Sequence, residues 1–229
     1  ILDTVRIAGT NVSKATLHNM DYITQKDIRI GDTVVVEKAG DIIPAVVEVI
    51  GEDRTGDEKP FSMPEHCPAC GALVVREAEE AAYRCTGVNC PAQRLRNIIH
   101  FVSRGAMDIE GLGPSIIEQL IERELINTAA DLYYLKAEDI AEMDKMGEKS
   151  AQNILNALEK SKSNPLYRLI NAMGIRHIGE KASKILSQKY KTLDNLRNAQ
   201  AEDLNSINDI GAVMAESVVE YFEEPQNIE

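Results

Sequence analysis

No apolar run in this chain approaches the ~20 residues that a membrane-spanning helix needs, which excludes such a helix within these residues, and no membrane partner is expected. A secretory leader is not visible either. Positive charge is in deficit: the formal net charge is −12, which argues against a plain basic surface as the means of holding nucleic acid. Cysteine is scarce as well, with four in 229 residues, all between positions 67 and 90. Scattered structural thiols do not cluster in that way. Without a sign of secretion, the cluster favours a metal site over two disulfides. The first residue is Ile1, so the expectation is a piece of a longer or processed chain whose missing start could hold a targeting segment.

What is present is ordinary in bulk. The apolar share is 44%, as in folded soluble domains, and the length fits one large domain or two to three small ones. The charge is unevenly spread. Residues 1–66 carry 7 basic and 12 acidic side chains, residues 67–105 carry 5 and 3, and residues 106–229 carry 13 and 22. The cysteine segment is the positive island, and its basic residues are all Arg.

Residues 1–50 read as β. Val5-Arg6-Ile7-Ala8-Gly9 begins one short strand. Thr33 to Val36 forms a second after the turn signal Arg29-Ile30-Gly31-Asp32. Ile42 to Ile50 forms a third, with Pro44 suiting an edge or a strand start. These are too few strands to close a barrel, so part of one is expected upstream of Ile1. Gly51 to Pro64 is polar and reads as a linker.

The cysteines follow the pattern Cys67-x2-Cys70-x14-Cys85-x4-Cys90. A tight pair lets two thiolates converge on one ion. The second pair returns after a loop that a hairpin from Ala72 to Arg84 would fill. Four thiolates make a closed tetrahedral zinc site whose role is structural. His66 is a neighbouring rival ligand, but four sulfurs already suffice. The alternative is a loop of free or disulfide-bonded cysteines.

From Ala92 onward the pattern is helical, punctuated by Gly113, Gly147, Gly179 and Gly211 at spacings of 34, 32 and 32 residues. Such a period marks internal repeats. Apolar residues stand four and one places before each glycine, as in Ile175-Arg176-His177-Ile178-Gly179. The place two before it holds Gly111, Lys145, His177 or Asp209, and it calls for a residue that tolerates positive φ. Lys145 is the misfit. Apolar residues seven places on, Leu120, Ile154, Leu186 and Val218, predict core-facing helix positions. This is the helix–hairpin–helix pattern. The unpaired N–H groups and partial positive charge of a helix start, with a tight glycine hairpin ahead of it, can hold a phosphate. Lys149 and Lys181, two places past a glycine, add charge. Such contacts grip backbone and not bases, which partly answers the acidic balance. The alternative is a helical scaffold whose glycines are simple turns.

Several stretches together resemble one family, the bacterial NAD-dependent DNA ligases. Ala15-Thr-Leu-His-Asn19, Asp27-Ile-Arg-Ile-Gly-Asp32 and Lys38-Ala-Gly-Asp-Ile-Ile-Pro44 resemble its OB-fold. Cys90-Pro-Ala-Gln-Arg94 and His100-Phe-Val-Ser-Arg104 with Ala106-Met-Asp108 look like its zinc-to-helix junction. Met146-Gly147, Lys149-Ser-Ala-Gln-Asn153 with Ala157-Leu-Glu159, and Gly174-Ile-Arg176 are similar to its repeats. The resemblance covers nearly the whole chain. It implies nick sealing in duplex DNA during replication and repair, with AMP taken from NAD by a lysine in a Lys-x-Asp-Gly motif and Mg2+ screening the phosphates. It also implies an adenylation domain upstream, a BRCT domain downstream and a bacterial cytoplasmic, nucleoid-associated location. This sequence holds no Lys-x-Asp-Gly and no Rossmann-type glycine loop. The resemblance therefore makes it the DNA clamp and not the chemistry.

The expectation is a multidomain α+β chain. Residues 1–64 form the partial barrel, an OB-fold, with its linker; 65–92 form the four-cysteine zinc finger; 93–229 form four helix–hairpin–helix motifs, all α. The expected metal ligands are Cys67, Cys70, Cys85 and Cys90, and no catalytic residue is expected. The expected DNA contacts are Arg94, Arg96, Gly111, Gly113, Gly147, Lys149, Arg176, Gly179, Lys181 and Gly211. Whether Lys38 and Asp41 touch DNA or the adenylate stays open. The competing functions are the DNA-binding module of a repair nuclease or topoisomerase, and a protein-interaction scaffold.

Overall fold

Short β-branched runs separated by glycine turns form two-stranded ribbons in the first part of the chain. The computed structural model describes residues 1–7, 9–39, 43–77, 80–87, 89–224 and 227. β1 (Val5–Ile7) pairs antiparallel with β2 (Thr10–Val12). α1 (Met20–Gln25) follows, opened by Asn19, whose side chain accepts from the Tyr22 N–H at 2.9 Å. Next come β3 (Arg29–Ile30), β4 (Val34–Ala39), β5 (Ile43–Val49) and β6 (Lys59–Pro60). β4 pairs with β5, with a register shift between Val35 and Val36, and β3 pairs with β6, both antiparallel. A small core gathers Ile23, Ile28 and Val46. Among the described residues these ribbons close no barrel. Pro44 sits at the start of β5 opposite Lys38, and its carbonyl accepts the Thr16 N–H at 2.8 Å. Ala8, Gly40, Asp41, Ile42 and the hairpin positions Ala78 and Glu79 lie outside the described residues.

The stretch from Gly51 to Pro64 does more than link. It doubles back to add β6, and it is held by Arg54. That guanidinium donates to both carboxylate oxygens of Asp32, at 2.7 and 2.9 Å, and to Asp27 at 2.7 Å. The Asp32 side chain is only 1% exposed, so without Arg54 a sequestered carboxylate would keep only the Arg29 backbone N–H, at 2.7 Å, and no counter-charge bonded to it. An ion pair across 22 residues leaves no mark in local composition. β7 (Val74–Arg76) and β8 (Tyr83–Cys85) form the hairpin between the cysteine pairs. Arg76 forks onto Asp21 of α1 with bonds of 2.7 and 2.6 Å. Residues 1–90 form one compact unit.

Residues 91–229 form a second, helical unit. It contains α2 (Pro91–Val102), α3 (Pro114–Glu122), α4 (Ala137–Ala141), α5 (Glu148–Ser161), α6 (Leu166–Ala172), α7 (Glu180–Tyr190), α8 (Leu193–Arg197), α9 (Ala201–Asn205) and α10 (Ala212–Glu223). The helices pack in pairs, α2 with α3, α4 with α5, α6 with α7 and α9 with α10, so each pair is one repeat. Leu120, Ile154, Leu186 and Val218 are each at most 1% exposed. Each contributes about 1.5–3 kcal/mol by burial. The first two repeats share one core, from Ile98 to Leu158, which Ala172 of α6 joins, and the last two share another, from Ile170 to Phe222. Buried Asn171 ties α6 to the end of α2. Its carbonyl is bonded to His100 Nε2 at 2.7 Å, and its amide donates to the Gly105 carbonyl at 2.9 Å.

Candidate metal centre and nucleic-acid interface

The first cysteine pair sits in a knuckle closed by two backbone bonds, Gly71 N–H to Cys67 O at 2.8 Å and Cys67 N–H to Ala72 O at 2.7 Å. Cys85 ends β8, and the chain turns so that Cys90 N–H reaches Gly87 O at 3.2 Å. These turns aim the four sulfurs inward. Cys67 and Cys90 sulfurs are 3.9 Å apart, Cys70 and Cys85 sulfurs 3.4 Å apart, and all four lie within 4.8 Å of one another. Zinc–sulfur bonds of ~2.3 Å in a tetrahedron put sulfurs roughly 3.8 Å apart, so the cluster fits one zinc ion with no open position. Backbone N–H groups of Ala69 and Cys70 point at the Cys67 sulfur and hold its pKa down to about 7. Neighbouring sulfurs and burial push the Cys70 thiol up to about 12 and raise Cys85 as well, so among these three the thiolate that metals bind is favoured at Cys67. His66 joins Leu73 through its backbone and is not in the cluster.

Spacing alone does not single out Gly87. A Cβ there would stand 2.8 Å from Cys70 Sγ and 3.3 Å from Cys85 Sγ, and the Gly87 N–H donates to Cys85 Sγ at 3.2 Å. Only a residue without a side chain fits against both thiolates.

The four hairpins share one geometry. The residue two before each glycine has positive φ: Gly111 +91°, Lys145 +63°, His177 +62° and Asp209 +68°. Lys145, the misfit by type, adopts the same left-handed turn as the others. The turns of repeats two to four close through Met146 N–H to Met143 O, Ile178 N–H to Ile175 O and Ile210 N–H to Ile207 O, at 3.0–3.1 Å. Gly113, Gly147, Gly179 and Gly211 then cap α3, α5, α7 and α10 in extended conformation, with no capping side chain. α1 and α8, by contrast, are capped by the side chains of Asn19 and Thr192.

A Cβ on any of these four capping glycines would meet nothing within 4 Å. The fold therefore does not demand glycine there. What glycine does leave is an open approach to the unpaired N–H groups of the first helical turn. Gly111 is different: its Cβ would stand 2.8 Å from Ile154 Cγ1, so packing as well as φ requires it.

The expected basic contacts fall into separate situations. Lys149 and Arg96 are exposed. Arg96 lines a hollow of about 360 Å3 with His100, Gly174, Ile175 and Ile178 of the third hairpin, so α2 and that hairpin share one face. Half-buried Arg94 donates to the Asn127 side chain. Arg176 is half-buried in the third hairpin. Lys181 is exposed and pairs with Asp209 of the fourth hairpin at 2.9 Å. Lys38 is a half-buried strand residue. Among the described residues no helix is long and apolar enough to cross a membrane.

Four successive stretches of the chain match known protein families. Residues 1–58 match the NAD-dependent DNA ligase OB-fold domain, and residues 66–92 match the NAD-dependent DNA ligase C4 zinc finger domain. Residues 104–160 match a SAM-like helix-hairpin-helix tandem, and residues 168–229 a helix-hairpin-helix motif. The chain is 58% identical to a DNA ligase of Thermoanaerobacter sp. (strain X514) over 229 residues, covering all of this chain and 35% of that protein. It is 56% identical to a DNA ligase of Clostridioides difficile (strain 630) over 228 residues, covering 100% of this chain and 34% of that one. It is 54% identical to a DNA ligase of Listeria innocua over 222 residues, covering 97% and 33%. The chain thus spans about a third of the length of the curated relatives it matches.

Proposed function

We propose that this chain, whose first part matches the OB-fold and C4 zinc-finger domains of the NAD-dependent DNA ligases and whose second part matches helix–hairpin–helix families, is the DNA-clamping part of such a ligase. The division is 1–64, 65–92 and 93–229. Cys67, Cys70, Cys85 and Cys90 hold a structural zinc ion that fixes the hairpin. The partner is nicked duplex DNA. Adenylation with NAD and Mg2+ takes place elsewhere in the enzyme, because this sequence has no Lys-x-Asp-Gly. The longer polypeptide supplies an adenylation domain and a BRCT domain, and it works at the bacterial nucleoid.

One observation supports the clamp most directly: four capping glycines that the fold itself does not require. Backbone amides at Gly113, Gly147, Gly179 and Gly211 face phosphates, the left-handed turn at Gly111 shaping the first cradle. Lys149, Lys181, Arg176, Arg94 and Arg96 supply charge around them. Amide cradles read phosphate and not sequence. Affinity for nicked duplexes of unrelated sequence is therefore expected to be similar and to fall with salt. Titration of labelled nicked duplex across a salt series tests this. No binding at low salt by a chain whose helical signal is intact would leave a scaffold role instead.

A further inference from the structure

The four hairpins are not equal in charge, and the difference is concentrated at one ion pair. From Asn198 to the last residue the chain carries eight acidic side chains and no Lys, Arg or His. The fourth hairpin therefore has no cation of its own. Where the second and third repeats have Lys149 and Lys181 two places past the glycine, the fourth has Val213, which is 58% exposed. Its left-handed position is Asp209, two residues before the Gly211 cap. The Asp209 carboxylate reaches Lys181 of the third repeat at 2.9 Å, with the two side chains 50% and 79% exposed.

Both ends of this pair lie where DNA phosphates would approach. An exposed ion pair is weak and salt-screened, so a phosphate can take Lys181 from Asp209. The carboxylate is then unpaired beside the Gly211 amides and opposes the second phosphate. We propose that Asp209 attenuates the grip on DNA: it occupies Lys181 in the free protein and repels phosphate at the fourth hairpin in the complex. Lys181 and Asp209 thus make the third and fourth hairpins one tuned contact. This rests on the DNA-clamping function above.

The test compares the 229-residue chain with D209N, K181A and K181A/D209N in titrations of labelled nicked duplex from low to moderate salt. Asn tolerates the left-handed backbone at this position, so D209N keeps the turn, and circular dichroism checks that it does. D209N should bind severalfold more tightly at low salt. Its log–log salt dependence should steepen by up to ~0.9, the value for one more neutralised phosphate. In the K181A background the same substitution should change affinity less and leave the slope unaltered. Equal affinity and slope for the parent chain and D209N would overturn the attenuator alone. Absence of duplex binding by every chain would overturn the clamp as well.

Discussion

Gly87 packs its bare α-carbon against the Cys70 sulfur: a Cβ built there would lie 2.8 Å from Sγ. The same Cβ would crowd Cys85 Sγ at 3.3 Å, so an added methyl must push on two of the four sulfurs together. Gly87→Ala should therefore lower zinc affinity on the order of tenfold, the scale seen when groups supporting metal ligands are disturbed. Chelator competition followed by metal analysis reads this directly. Gly105→Ala is the control, because nothing lies within 4 Å of a Cβ there. Equal zinc retention by the two variants would remove Gly87 from the site.

The cysteine spacing and the glycine period were legible because each is local: a knuckle and a hairpin are built from residues close in sequence. The buried seventh positions followed from the same period, and Leu120, Ile154, Leu186 and Val218 occupy them. What stayed hidden depends on distant segments meeting. Gly87 matters because β7 and β8 bring it back to Cys70. Arg54 reads as a linker charge until the chain folds it onto Asp32. Lys181 reads as a free cation until the fourth hairpin sets Asp209 beside it. Lys145 is misleading for another reason: the turn around it imposes positive φ on whatever residue stands there, against the preference of a β-carbon.

Acid should weaken the first unit through Asp32. Hydrogen bonds from the Arg54 side chain hold its carboxyl below the usual carboxylate range. A depressed folded pKa stabilises above the unfolded value, near 4, and that stability is lost as pH falls through the folded value. Asp27, held down by Arg29 and then Arg54, acts in the same sense. Arg54→Met should raise the pH at which the β ribbons unfold and flatten the dependence below pH ~4. Acid titrations monitored by near-ultraviolet circular dichroism compare the two. An unchanged acid midpoint would show that the pair contributes nothing to the unit.

Lys145 separates stability from binding. Its φ of +63° strains an L-residue with a full side chain. Lys145→Gly removes strain of about 1–2 kcal/mol but restores freedom to the unfolded chain worth about 0.5–1 kcal/mol. The expected outcome is a thermal midpoint unchanged or slightly raised. The same change removes a cation beside the Gly147 cradle, so affinity for duplex should fall and the salt slope should shrink by up to ~1. A clear loss of stability would mean that the side chain has a packing role which its exposure does not suggest.

Gly147→Asp and Gly179→Asp oppose fold and function most sharply. Both positions are extended, with φ of −162° and −97°, and both have open space where the side chain would go. Asp is a better N-cap than Gly by a few tenths of a kcal/mol, because its carboxylate accepts from the first-turn N–H groups. Its charge also suits the positive end of the helix. Each variant should therefore fold at least as stably as the parent. The same carboxylate fills the cradle and repels a phosphate, so affinity for nicked duplex should drop on the order of tenfold or more at low salt. A helical scaffold without DNA contacts predicts the stability gain and no change in binding. Gains in thermal midpoint together with unchanged duplex affinity would therefore exclude these amides as the grip, while gains together with lost affinity would identify glycine as the residue kept for the phosphate and not for the helix.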